Sequence, residues 1–274
     1  MARSDGRLLI FGLGYAASAV AARLDGWQVS ATGSAGDLDF DDRDAVMAAI
    51  DAATHILSSV PPGEDDPVLA TYGNRLSGKW LGYLSSTGVY GDTGGAWVDE
   101  SAPVKGRRDE RNRADAAWLA LRARVFRLPG IYGPGRSPLD RVAAGTAHRT
   151  GIMGQVFSRI HVDDLAQGVI AGFDAPPGAY NLADDCPAPQ DDVVTFAAKL
   201  LGIAPPPIVP LESLSPAARA FHAENRRVAN GKAKRVLGWR SRYADYRTGL
   251  RALRAITNPA AASNAPATAS PDQR

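Results

Sequence analysis

The chain has 274 residues, room for one large domain or two modest ones. With 45% hydrophobic and 22% charged residues it has the composition of a globular protein, and a net charge of +2 gives no argument for nucleic acid as a partner. A single cysteine, Cys186, excludes an internal disulfide framework and fits a reducing, cytoplasmic setting.

The start, MARSDGR followed by an apolar run, has the outline of a secretory leader. Asp5 and a Gly-x-Gly break read instead as a strand turning into a helix. No apolar run reaches the ~20 residues of a membrane span. RLLIFG (7–12) is the first predicted strand, YAASAVAARL (15–24) a helix with Val20 and Leu24 on one face, and WQVSAT (27–32) the second strand. LDF (38–40) is expected as a short third strand, then a helix over 42–50, a strand over 54–60 stopped by Pro61 and Pro62, and a helix over 66–76 with Pro67 in its first turn. KWLGYLSS (79–86) is a strand. DERNRADAAWLALR (109–122) is a helix burying Ala114, Trp118 and Leu121, and ARVFRLP (123–129) is another strand. This alternation predicts an α/β doubly wound parallel sheet. Beyond Pro129 come a turn-rich GIYGPGRSP, a helix over 165–173 capped by Asp163 and Asp164, a strand at 178–183, and a smaller helical lobe. The predicted division is a dinucleotide-binding Rossmann domain over 1–128, a substrate lobe over 129–258 with segments returning to the sheet, and a disordered tail over 259–274.

GLGYAA (12–17) places G-x-G-x-x-A at the end of the first strand. Gly12 permits a tight turn, Gly14 lets the backbone approach a pyrophosphate, and Ala17 lets the helix pack on the strand. Free N–H groups at the helix start, around Tyr15 and Ala16, then face the phosphates. An acid at the end of the second strand would hold the ribose hydroxyls of NAD, and an arginine the phosphate of NADP. Thr32, Gly33 and Ser34 stand there instead, and their hydroxyls and open backbone lean to NADP. Among Asp39, Asp41 and Asp42, one is a candidate to reach the adenine, with simple helix capping as the equal alternative.

YLSSTGVYG, FRLPGIYGPGRS, SRIHVDDLA and YNLADD, in this order, resemble the extended short-chain dehydrogenase/reductases, the group that includes nucleotide-sugar epimerases and dehydratases. VPPGEDDPVL and GKAKRVLGWRSRYADYRTGL bring the resemblance closer to an atypical, YeeZ-like branch. The resemblance implies NAD(P) across the C-terminal strand ends and a small-molecule substrate, with neither nucleic acid nor membrane as partner, in a monomer or homodimer. Ser86 matches the family's catalytic hydroxyl. Ser58, Ser59, Val60 and Pro61 match the loop crossing the cofactor's middle, and Pro129 and Gly130 the loop meeting the nicotinamide.

The family's Tyr and Lys fall on Arg107 and Arg111, counting back from Asp115 and Trp118, and no Tyr in the chain is followed four residues later by Lys. Lysine lowers a tyrosine's pKa toward working pH so that it can shuttle a proton, whereas a guanidinium stays protonated. Arg111 remains a candidate for ribose or phosphate, against an i,i+4 ion pair with Asp115. Tyr90, Tyr132, His148 and His161 are the alternative proton donors, with packing the favoured role for Tyr90 and a structural role favoured for His161. Arg136 and Arg141 are candidates for an anionic substrate. The arginine that nucleotide-sugar enzymes carry four before this histidine is Phe157 here, with Arg159 displaced by two. Two functions fit: an oxidoreductase or epimerase/dehydratase-like enzyme on a small polar substrate, or a catalytically silent NAD(P)-binding sensor or partner-binding protein.

Overall fold

The structure, a computed structural model, describes residues 6–257; the expectation of a disordered tail and the question of a leader lie outside them. The first half runs β1 (Arg7–Phe11), α1 (Tyr15–Ala21), β2 (Gln28–Ala31), α2 (Arg43–Ala52), β3 (His55–Ser58), α3 (Pro67–Tyr72), β4 (Trp80–Ser86), β5 (Trp97–Val98), α4 (Asp109–Ala120) and β6 (Arg124–Leu128). The second half runs β7 (Gly130–Tyr132), α5 (Pro138–Ala143), β8 (Arg159–His161), α6 (Val162–Ala171), β9 (Gly178–Asn181), α7 (Gln190–Leu201), α8 (Pro216–His222), β10 (Arg227–Val228), α9 (Gly231–Val236) and α10 (Tyr246–Thr257).

Six strands form one parallel sheet in the order β2-β1-β3-β4-β6-β9. Strand residues alternate between two cores. Leu8, Ile10, Leu57 and Phe126 meet Val20 of α1 and Leu165 of α6, while Leu9, Phe11, Ile56 and Val125 meet Val46 and Ile50 of α2 and Trp118 of α4. Burying each large aliphatic contributes roughly 1.5–3 kcal/mol, so both faces need their helices. The chain leaves β1 toward β2 on one side and β3 on the other. That reversal opens a crevice at the strand ends. A third core, built on Val193, Val194, Leu250 and Leu253, joins α5, α7 and α10 into the second lobe.

Three sequence expectations are corrected. The 38–40 segment makes only one bridge, Thr32 to Leu38. Gly36 is packed onto the Ala31 carbonyl and the Asp37 carboxylate accepts the Ala31 N–H at 2.6 Å, so the chain turns too tightly there to extend. Leu121 is exposed because α4 ends at Ala120. α6 is capped by His161, whose Nδ1 accepts the Asp163 N–H at 3.1 Å, and not by Asp163 or Asp164. Asp164 is drawn away to the N–H groups of Arg242 and Tyr243, at 2.7 and 2.9 Å.

Candidate functional site

The sheet's C-terminal edge and the second lobe enclose a cleft of about 990 Å³. Its lower wall is the glycine loop. Gly12 sits at φ +82, a conformation L side chains rarely adopt, and a Cβ there would crowd Val60 at 3.0 Å. Its N–H is held by the Thr32 hydroxyl at 3.1 Å and its carbonyl by the Ser59 hydroxyl. Gly14 is different in kind. Its φ of −93 and ψ of −174 suit any residue, and a Cβ there would meet no protein atom within 4 Å. Gly14, Tyr15 and Ala16 line the cleft, while Ala17 is buried against the sheet as expected.

The end of β2 reads differently from its sequence. Gly33 has φ +107 and lies so close that a Cβ would be 3.1 Å from the Leu13 nitrogen. Thr32 accepts the Gly12 N–H and is buried, and it is this burial that closes its hydroxyl to a phosphate. Ser34 and Asp41 are exposed; Asp42 caps α2 through Ala45. In the next loop Ser59 and Pro61 line the cleft. Ser58 does not: it is a fully buried strand residue paired with Phe11 and Tyr83, and Val60 turns into the core.

Ser86, at the end of β4, lines the cleft and accepts the Gly88 N–H at 3.1 Å, leaving its own proton to donate. Pro129 and Gly130 stand beside it. Arg107, Arg108 and Arg111 reach the same wall from the start of α4. Arg107 pairs with Glu224 at 2.9 Å, and Glu224 pairs in turn with Arg226 at 2.6 Å, bridging the mouth. The ion pair with Asp115, the alternative role of Arg111, is not formed. Asp115 is buried and takes a two-pronged bond from Arg127, Nε at 3.1 Å and Nη2 at 2.7 Å, plus the Ser85 hydroxyl at 2.7 Å. Arg127 also donates to the Tyr90 hydroxyl at 3.1 Å, which donates to Asn181 Oδ1 at 2.7 Å. The sequence reading missed this network. Its one signal was Arg127 inside an apolar strand, a charge that burial tolerates only with a partner.

The same network corrects the proton-donor candidates. Tyr90 is buried and bonded within it, and burial raises its pKa. Tyr132 lends its ring to the cleft wall, but its hydroxyl is sealed against α10, has no partner among the described residues, and is held protonated by burial. His161 is enclosed between Tyr132 and Tyr243, and burial pushes its pKa down. His148 is not part of the cleft wall. Arg136 and Arg141 do line it, Arg136 lying 5.6 Å over the Tyr15 ring while the Tyr15 hydroxyl donates to the Pro134 carbonyl at 3.1 Å.

Behind the wall Asp184 is buried, and desolvation pushes its pKa up to about 8 against the opposing charge of Arg159. Between its ordinary value of 3.8 and about 8 the folded protein keeps a proton the unfolded chain has lost, so this group's contribution to stability falls as pH rises. Asp184→Asn should therefore flatten the decline in thermal midpoint across that window. Parallel midpoint curves for the variant and the parent would contradict it.

No family model matches the chain. Among characterised proteins, a 3-diazoavenalumate denitrifying reductase of a Streptomyces species is 27% identical over 258 residues, covering 76% of this chain and 83% of that protein. Protein YeeZ of Escherichia coli K12 is 29% identical over 183 residues, 61% of this chain and 65% of YeeZ. Among solved structures, a functionally unknown conserved protein from Silicibacter pomeroyi superposes with a TM-score of 0.81 at 41% identity, over 92% of this chain and 99% of that one. The chain belongs to the same family as that protein. A dTDP-glucose 4,6-dehydratase from Bacillus anthracis in complex with NAD superposes at 0.72 and 16% identity, over 93% and 97% of the two chains. The fold is thus that of the extended short-chain dehydrogenase/reductases, with the parallel sheet of the epimerases and dehydratases. No described helix is long and apolar enough to cross a membrane.

Proposed function

We propose that the chain binds NAD or NADP in this cleft, pyrophosphate over Gly14, Tyr15 and Ala16, and transfers a hydride to a small polar substrate without a Tyr–Lys proton relay. One observation carries the reading. Gly14 has a backbone any residue could adopt and empty space where its side chain would be, so the protein itself gives no reason for glycine. A ligand pressed against that backbone does. Structures sharing the fold hold NAD or NADPH.

When bound, the dinucleotide supplies the hydride; the chain's part is to hold and orient. Ser86 offers a donor at the nicotinamide end. Arg111, and Arg107 paired with Glu224, stand where the resemblance would put the relay, and neither exchanges a proton near neutral pH. Such a site suits an acceptor that needs no proton from the protein when hydride arrives, such as an already cationic carbon or nitrogen. The Streptomyces relative is named for a denitrifying reduction rather than a carbonyl reduction.

Steady-state assays following nicotinamide absorbance test this. Oxidation of NADH or NADPH is expected with iminium or diazonium acceptors and not with alcohols, ketones or nucleotide sugars. Robust turnover of ketones or nucleotide sugars would overturn the account. A second reading, a silent sensor, is favoured by the sealed hydroxyls of Tyr90 and Tyr132; it would be supported by tight dinucleotide binding with no oxidation by any acceptor.

A further inference from the structure

Arg159 is the most deeply buried arginine lining the cleft, and it has no ion-pair partner among the described residues. Its Nη1 donates to the carbonyls of Phe157 and Ala188 at 2.7 and 2.9 Å, and its Nη2 to Gln190 Oε1 at 2.9 Å. All three acceptors are neutral. Its Nε–H finds no acceptor among the described residues, Nε is not fully enclosed, and Arg159 is part of the cleft lining. A guanidinium taken out of water without an anion is costly, and the Nε/Nη2 edge has the spacing of the two oxygens of a carboxylate.

The surroundings sharpen the point. Arg141, from α5, lines the same region, and its charge bears unfavourably on Arg159. It too forms no ion pair among the described residues. Gln190, which lines the cleft, spends its oxygen on Arg159, and its Nε2 makes no hydrogen bond among the described residues. The two carboxylates in the cleft wall are already engaged: Asp140 accepts the Ser137 N–H and hydroxyl at 2.8 and 3.0 Å, and Glu224 is shared by Arg107 and Arg226. Asp184, behind the wall, makes no ion pair with Arg159 and keeps one oxygen sealed and unpaired. The charge of Asp184 still acts favourably on Arg159 from behind the wall, but on the cleft side this corner is richer in donors than in acceptors among the described residues. It also lies beside the reacting end of the cleft, since Arg159 is the register partner of Gly130.

Resting on the reading of the cleft as a reaction site, the geometry points to a substrate that carries a carboxylate, received by the Nε/Nη2 edge of Arg159 with Arg141 and Gln190 Nε2 completing the anion pocket. The substrate's reacting atom would then lie toward Ser86 and Gly130, and Arg159 is a positioning and specificity residue. This places anion recognition two residues along from Phe157, the position that holds the arginine of the nucleotide-sugar enzymes.

The test uses the full chain and titration calorimetry with benzoate and cinnamate, their uncharged amides, and inorganic phosphate. The acids should bind saturably and the amides should not. Arg141→Gln, a change at an exposed side chain that leaves the fold intact, should weaken the acids about tenfold. Arg159→Lys keeps the charge but loses the fork, and should weaken them further. Equal binding of acids and amides, unchanged affinity in Arg141→Gln, or no binding of any acid by the parent protein would overturn the proposal. Phosphate binding without carboxylate binding would overturn the assigned class. Titration of NADP in the same Arg141→Gln protein separates this from the functional reading. Normal dinucleotide binding with lost acid binding supports the anion pocket, whereas acid binding without any dinucleotide binding leaves the pocket standing and removes the proposed hydride chemistry.

Discussion

Replacing Gly14 with Asp should abolish binding of both NAD and NADP while leaving the fold unharmed. The structural half of this expectation follows from two facts: the Gly14 backbone lies in a region open to every residue, and a Cβ there meets nothing within 4 Å. An aspartate would even be a better helix cap for α1 than glycine, by a few tenths of a kcal/mol. The binding half follows from charge. A carboxylate would stand where the pyrophosphate is proposed to lie, at the start of α1. Like-charge repulsion there, together with the loss of close approach, should weaken affinity by about 100-fold or more. Calorimetry on the variant and thermal unfolding of the same sample decide it. Unchanged affinity would refute the site, and an unfolded variant would refute the claim that only a ligand requires this glycine. Gly12→Ala is the contrast, because φ +82 there makes the substitution a folding defect first.

The second large effect is expected at Asp115. Asp115→Asn removes the charge that holds Arg127, which is only 3% exposed, and leaves a buried guanidinium with weaker partners. Breaking a buried pair from one side typically costs about 3–5 kcal/mol. In a protein of this size that corresponds to a fall in thermal midpoint of roughly 5–15 °C. Arg111→Gln should shift the midpoint hardly at all, because Arg111 makes no ion pair with Asp115. Equal shifts for the two variants would mean the network is not what anchors α4.

The doubly wound sheet was legible because periodicity and punctuation agreed: short apolar runs ended in Gly or Pro and alternated with helical stripes, and the six-strand parallel order follows from that rhythm. What failed was local. Residues 38–40 have strand propensity, but the Asp37 and Gly36 contacts force a turn that propensity does not encode. The glycine loop, Ser86, Pro61, Pro129 and Gly130 fall along the cleft because motif and topology both place them at strand ends. Ser58 and Val60 do not: Ser58 is fully buried as the last residue of β3, and Val60, beyond the strand, packs onto the core. Tyr90 and Tyr132 looked available in the sequence because both sit next to glycine in turn-rich stretches. Only the packing of Asn181 and α10 over them seals their hydroxyls. Arg159 was noticed only as a displaced residue, and its isolation from any acid is a fact of three dimensions.

The way α4 is fastened has a consequence for how such a chain can change. The helix is gripped at its middle, through Asp115 and Trp118, while its first turn and the residues before it contribute surface side chains to the cleft. Position 111, which forms no ion pair among the described residues, can therefore change its side chain at little cost to the scaffold, whereas position 107 is tied to Glu224. Selection for a well-folded protein is largely blind to which side chain stands at 111. A change of side chain at 111 is then a change in the charge of the cleft wall, made on a scaffold that stays the same.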